Sequence, residues 1–413
     1  MDRPAGVVIV GAGLAGAHAA IALRDYGYEG SITLLGRERW APYDRPPLSK
    51  AYLKGGMAPE KLSLWPLQTY AERDIGLRLG VEVQSFERYE RRVLLDSGER
   101  LRYDALILAT GGEARRLAAS GDHLEGVHTL KTVDDTDALS RQLQPGRAVV
   151  VIGGGFVGME FAATARQAGC EVTVLEAQQR ILARSLSAVV GRHLEQVHSA
   201  HGVQLLTGAE VSRLEGDGRV TAVITADGAR LAADLVLVSV GNEPGVELAR
   251  AAGLQAERGI VVDADGRTAD ANVFAVGDCA TCRREGFEAP VRLESVQHAI
   301  AQARRAAAAI AGKPAPDDEI PWFWSDQYDL KLQMAGLPLP GDEEILRGDP
   351  ETGRFSVIFQ NAGRMTAIHC VNASGDFAGS KRMIAMRRTF PVDLLKNAQL
   401  SLREIRTAVV PAG

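Results

Sequence analysis

Short, unbroken apolar runs, each closed by a glycine turn, mark the first three quarters of this chain. Residues 7–10 read Val-Val-Ile-Val and residues 149–152 read Val-Val-Val-Ile. Four β-branched residues without polar alternation predict a parallel strand buried on both faces. An Ala-rich stretch follows each run and stops at Gly27 or Gly169, which predicts a helix. SITLLG (31–36) and CEVTVLE (170–176) predict the next strands, and DALIL (104–108) and DANVFAV (270–276) two more. QHAIAQARRAAAAIA (297–311) predicts a long helix. The pattern then changes to alternation. In PWFWSDQ (321–327) it puts Trp322 and Trp324 on one strand face and Phe323 on the other, and it sends His369 and Cys370 to opposite faces. Strands alternating with helices indicate an α/β fold.

Composition narrows the function. At 413 residues, two to four domains are expected. A net charge of −5 argues against a nucleic-acid binder, and the Arg and Lys pairs read first as solvated faces. No apolar run reaches the roughly 18–20 residues of a membrane span. The apolar start is too glycine-rich for a leader sequence and has only Arg3 as a basic residue before it, so a cytoplasmic protein is expected. The four cysteines, Cys170, Cys279, Cys282 and Cys370, make no disulfide framework, and none precedes position 170. Cys279 and Cys282 have CxxC spacing but no second half-site, and they read as two loop thiols. The eight histidines are scattered, so no metal site is expected.

The glycines carry the chemistry. Gly11, Gly13 and Gly16 have GxGxxG spacing between a strand and a helix, and Gly153, Gly155 and Gly158 repeat it. The first glycine makes the tight turn, the second admits a pyrophosphate, and the third lets helix pack on strand. An acidic residue at the end of the following strand should take the ribose hydroxyls. Glu176 fills that place in the second copy and would repel a 2′-phosphate, favouring NADH, although Arg180 lies nearby. In the first copy the nearest acid is Glu38. One such motif is a weak signal. Two, each in strand–turn–helix–strand context, imply two dinucleotides and hence a flavin–nicotinamide enzyme. Ala109-Thr110-Gly111 and Gly277-Asp278 each close a further strand, and Asp278 suits a ribityl chain.

These four segments, in this order, resemble the two-dinucleotide flavoproteins that include glutathione reductase. The disulfide reductases of that group carry a CxxxxC pair after the first βαβ unit. Here that region reads APYDRPPLSKAYL (41–53), without sulfur. PYDRPPLSK, WFWSDQ, RLESVQHAIAQARR (292–305), GDEEILRG (341–348) and VNASGDF (371–377) resemble the ferredoxin reductases of bacterial oxygenase systems, the putidaredoxin-reductase and biphenyl-dioxygenase-reductase group, over almost the whole chain.

The resemblance implies two Rossmann-like, glutathione-reductase-like domains and a C-terminal α+β domain. The FAD domain would be 1–113 and 243–318, the NAD domain 114–242, and the C-terminal domain 319–413. It implies non-covalent FAD, NADH as donor, and single-electron delivery to a [2Fe-2S] ferredoxin that feeds a haem-thiolate monooxygenase or a Rieske-type dioxygenase. By position, Gly11, Gly13, Ala15, Gly16, Glu38, Val83, Ala109, Thr110, Gly111, Arg115, Gly277, Asp278 and Val296 would serve FAD. Arg45 and Lys50 would reach its flavin end, and Gly153, Gly155, Gly158, Glu160 and Glu176 would serve NADH. Lys50 and Glu160 should form an ion pair that reorganises when nicotinamide enters. Trp324 would mark the electron exit, with Trp322 as its packing neighbour. Arg304 and Arg305, and secondarily Arg283 and Arg284, would dock an acidic ferredoxin. A rubredoxin, quinone or radical acceptor stays open, as does an apoptosis-inducing-factor-like redox-gated binding protein.

Overall fold

A computed structural model describes residues 6–408, so Arg3 lies outside the described residues. Val7, Val8, Ile9 and Val10 are buried, as an apolar run without alternation requires. The strand Gly6–Val10 pairs in parallel with Ile32–Gly36 (Val7 opposite Ile32) and with Arg100–Leu108 (Val10 opposite Leu108). Ile75–Leu79 extends the sheet beside Ile32–Gly36, and Val273–Ala275 adds to Arg100–Leu108. The far half of Arg100–Leu108 turns antiparallel to Arg92–Leu95, which pairs with Val83–Glu87. One face is covered by two Ala-rich helices, Leu14–Asp25 and Val296–Ile310, whose Ala17, Ala20, Ala303 and Ala307 share one core. Small side chains let these backbones approach closely. The second helix begins one residue earlier than its sequence suggests, because Ser295 Oγ caps it by accepting from the His298 N–H at 3.1 Å.

This sheet belongs to one of two compact units: residues up to Asp44, Pro59–Glu113 and Glu243–Glu319. The other contains Arg45–Ala58, Ala114–Asn242 and the chain from Ile320 onward. Arg45–Ala58, which the family resemblance places within the FAD domain, thus clusters with the second unit. Its Ser49 carbonyl accepts from Thr164 Oγ1 at 2.9 Å, and Tyr52 donates to Asp137 at 2.9 Å.

The second unit repeats the parallel arrangement. Ala148–Ile152 lies between Glu171–Glu176 and Leu235–Val238, with Gln204–Thr207 and Val127–His128 outside them. A three-stranded antiparallel sheet (Val211–Asp217, Arg219–Thr225, Arg230–Ala232) accompanies it. The C-terminal part is a five-stranded antiparallel sheet ordered Trp322–Gln327, Leu330–Gly336, Arg364–Val371, Arg354–Asn361 and Glu343–Asp349, with the helix Ser374–Met386 packed on one face. Arg347, 3% exposed, ties this part together by donating to Asp376 and to the carbonyls of Leu395, Asn397 and Leu400.

The two thiols read as loop residues are placed differently. Cys279 closes a buried helical turn and Cys282 ends the strand Ala280–Cys282. Burial pushes the Cys279 thiol pKa up, and its Sγ lies 3.4 Å from the Leu108 carbonyl and 3.3 Å from that of Val276.

Candidate functional site

Each glycine fingerprint builds the same cradle. In the first unit Gly11 has φ +109°, and a Cβ there would stand 2.1 Å from the Ala109 carbonyl oxygen. At Gly16 a Cβ would stand 1.9 Å from the Gly11 oxygen, so the helix can approach the strand only without a side chain. Gly13 is different. It lies in extended backbone at φ −80°, and nothing comes within 4 Å of the Cβ it lacks. Its helix has no side-chain cap and no acid in the first turn. Its first N–H groups therefore face a space that one methyl group would begin to fill, which suits a pyrophosphate. In the second unit Gly153 has φ +107° with Ser239 O 2.3 Å from its absent Cβ, and Gly158 has Gly153 O at 2.2 Å. Gly155 is again open, at φ −80° with no side-chain cap. The residues fit two nucleotides in the same way.

The flanking groups differ between copies. Glu176 is fixed by the backbone: Oε2 accepts from the Gly154 N–H and Oε1 from the Gln178 N–H, both at 2.8 Å. Arg180 is turned away from ligand duty, donating to the carbonyls of Ile181, Ala183 and Leu186. Glu38 accepts from the Tyr43 hydroxyl at 2.6 Å, and its carbonyl accepts from Gly80 N at 3.0 Å. That loop leads to Val83, half-buried opposite Leu95. Ala109 and Ala15 are buried beside the Gly11 turn. Gly111 takes φ +61°, and Thr110 Oγ1 donates to Gly245 O at 2.5 Å.

Gly277 has φ +80°, and a Cβ there would lie 2.9 Å from Ala15 Cβ; its N–H donates to Gln302 Oε1 at 2.9 Å. Half-buried Asp278 follows Gly277 in the short helical turn Gly277–Cys279. Gln302, 7% exposed, was missed by the sequence reading. Its signal was a polar residue on the buried face of an Ala-rich helix. Val296 begins that helix and His298 follows at its third position. Burial and nearby Arg284 lower the His298 pKa to about 4, so Nδ1 accepts from Arg284 Nη2 at 3.2 Å.

The expected basic patch divides. Arg304 and Arg283 are exposed, whereas Arg305 belongs to the internal structure of the first unit. Its guanidinium donates to the Ala264 and Pro316 carbonyls, to Asp318 at 2.6 Å and to Asp265 at 3.3 Å. Arg305 is therefore removed from the docking set for a geometric reason, and Arg284 is half-turned toward His298.

In the second unit the ion pair forms: Lys50 Nζ lies 2.7 Å from Glu160 Oε2. Glu160 is 5% exposed on the helix Phe156–Gln167. Its Oε2 also accepts from Ser49 Oγ at 2.5 Å and its Oε1 from Ser325 Oγ at 2.6 Å. Neither serine was anticipated. Arg45 donates to the Lys131 carbonyl at 2.6 Å, and exposed Arg115 is anchored by its own N–H to Gly241 O at 2.9 Å. The alternation of the aromatic strand holds. Trp322 packs on the C-terminal core, with Phe377 at 5.7 Å and Lys381 4.2 Å from its ring centroid. Phe323 faces Phe156 at 4.7 Å, and Trp324 lies 5.5 Å from Trp322.

Comparison with known proteins gives these features a family. The pyridine nucleotide-disulphide oxidoreductase model matches residues 5–303, and the reductase C-terminal model matches 322–406. The chain is 45% identical to the probable ferredoxin reductase CtmF of Castellaniella defragrans, over 92% of this chain and 93% of that one. It is 41% identical to putidaredoxin reductase CamA of Pseudomonas putida, over 99% and 98%. The structure superimposes on the reductase in a crystal structure of the covalent putidaredoxin reductase–putidaredoxin complex with a TM-score of 0.96 and 40% identity, covering 98% of this chain and 99% of that one. Twin nucleotide cradles, a sulfur-free segment at 41–53 and a reductase C-terminal part thus agree, and the chain belongs to the pyridine nucleotide-disulphide oxidoreductases, among the ferredoxin reductases of oxygenase systems.

Proposed function

We propose that this protein is an NADH-dependent flavoprotein that passes electrons, one at a time, to a [2Fe-2S] ferredoxin serving an oxygenase. The twin cradle carries this reading: Gly13 and Gly155 each have open space where a Cβ would stand, at two helix N-termini without a side-chain cap. When bound, NADH supplies a hydride and FAD converts that two-electron input into single-electron output. We assign FAD, held non-covalently, to 1–113 and 243–318, NAD to 114–242 and the α+β domain to 319–413.

In this assignment the first cradle holds the FAD pyrophosphate, Glu38 the adenosine ribose and Asp278 the ribityl chain. The N-terminus of Val296–Ile310 offers a positive dipole end to an anionic ring edge. The second cradle holds NADH, and the backbone-fixed carboxylate of Glu176 disfavours a 2′-phosphate. Lys50 and Glu160 supply a charge pair that rearranges as nicotinamide enters. Trp324 excludes water and lines the electron exit. Arg304 and Arg283 steer an acidic partner, an effect that salt screens. The four free cysteines support a cytoplasmic setting.

Stopped-flow reduction by NADH, followed by turnover with separate acceptors, tests the assignment. Glu160→Ala should slow flavin reduction more than it changes NADH affinity. Turnover with acidic [2Fe-2S] ferredoxins should exceed that with rubredoxin or quinone. Unchanged reduction kinetics, or preference for a different carrier, would overturn the corresponding part.

A further inference from the structure

The Glu160 carboxylate is the end of a one-way chain of donors. Gln327 Nε2 donates to Ser325 Oγ at 3.0 Å, so the single Ser325 hydroxyl hydrogen points at Glu160 Oε1. Behind it, Gln327 Oε1 lies 2.7 Å from His198 Nε2. The opposite amide orientation would draw the Ser325 hydrogen to Gln327 and set two oxygen lone pairs against each other at Glu160. The carboxylate therefore sets the order: His198 Nε2–H to Gln327, Gln327 to Ser325, Ser325 to Glu160. Burial lowers the His198 pKa to about 4, which keeps the ring neutral, and its Nδ1 has no partner. On the other carboxylate oxygen, Ser49 donates alongside Lys50. Donors aligned in one sense polarise each other.

The anchors differ in rigidity. Ser325 and Gln327 lie in a paired strand, with Ser325 opposite Leu332 and Gln327 opposite Leu330. Lys50 follows a short helical turn; its side chain is 19% exposed, and its other partner is the Pro46 carbonyl at 3.3 Å. Asp326, between the two anchors, is exposed on the opposite strand face. Among the described residues, the titratable groups joined to this cluster are Lys50 and, through Gln327, His198.

We propose that Ser325, Gln327 and Ser49 are positioning residues that keep Glu160 ionised and in place without Lys50, so that Lys50 is the mobile member of the pair during turnover. The role in turnover rests on the NADH-reductase reading; the ionisation state does not, and the two are tested separately. Infrared spectra of the full-length protein at neutral pH report a protonated carboxyl band, which Glu160→Gln in the same background identifies. Lys50→Met should show no such band. Lys50→Met combined with Ser49→Ala and Ser325→Ala should show it, because an unpartnered buried carboxylate takes a proton. Restoring a hydroxyl with Ser325→Thr should remove it. A band in Lys50→Met alone, or none in the triple variant, would overturn the proposal. If the triple variant does not fold, Lys50→Met alone still decides, with the band overturning the idea and its absence supporting it. In stopped flow, Ser325→Ala should slow flavin reduction about tenfold, the effect of one charge-assisted hydrogen bond, with NADH Kd unchanged. An equal change in both would make Ser325 merely structural.

Discussion

Adding one methyl group to each cradle separates the two nucleotide sites. Gly13 and Gly155 both lie at φ −80° in extended backbone, which alanine adopts without strain. Neither new Cβ would meet a protein atom within 4 Å. Gly13→Ala and Gly155→Ala should therefore fold, losing about 1 kcal/mol from a poorer N-cap. Each methyl would occupy the space through which helix N–H groups reach a phosphate. Loss of one such bond to a charged group costs about 1.5–3 kcal/mol, roughly a 10- to 150-fold loss of affinity. Titration of FAD into apoprotein, followed by flavin fluorescence, reads the first site; NADH binding to the flavin-loaded protein reads the second. Gly13→Ala should weaken FAD binding alone and Gly155→Ala NADH binding alone. Gly16→Ala serves as a contrast, since its Cβ would lie 1.9 Å from the Gly11 oxygen and should disturb the fold itself. Wild-type FAD affinity in a folded Gly13→Ala protein would refute the assignment of the first cradle.

Trp324→Ala should cut ferredoxin reduction while leaving NADH-to-flavin transfer largely intact; equal loss in both half-reactions would make the ring a packing element. Arg304→Glu should raise the KM for ferredoxin and flatten its salt dependence, whereas Arg305→Ala should chiefly lower Tm, because Arg305 is bonded to Asp318, Asp265 and two carbonyls. Acid should destabilise the fold through buried histidines: His198 and His298 have pKa values of about 4, and His369 of about 3, all lowered by burial. The unfolded chain takes up those protons near pH 6.5 and the folded chain does not, so stability present above pH 6.5 should be lost progressively toward pH 4. A Tm that stays flat across that window would contradict this.

What short-range geometry imposes is legible in the letters of the chain. A turn at φ +109° or +107° requires glycine, and a helix position where a Cβ would stand within 2.2 Å of a preceding carbonyl oxygen requires another at fixed spacing. Both cradles are therefore written in six residues each, and the absence of sulfur before Cys170 is plain from the letters. Glu160 was reached through family resemblance, and its pairing with Lys50 is a contact the letters do not contain. What surrounds that pair is set by long-range packing. Ser49 is 111 positions from Glu160 and Ser325 is 165 positions away, so their bonds follow from the packing of a turn, a helix and a strand rather than from local periodicity. It also took Arg305 out of the docking face, drew Arg180 onto backbone carbonyls, and put Gln302 beneath Gly277. A side chain's type is in the sequence, but whether its polar atoms face solvent, a ligand or its own backbone depends on distant segments that burial brings into contact.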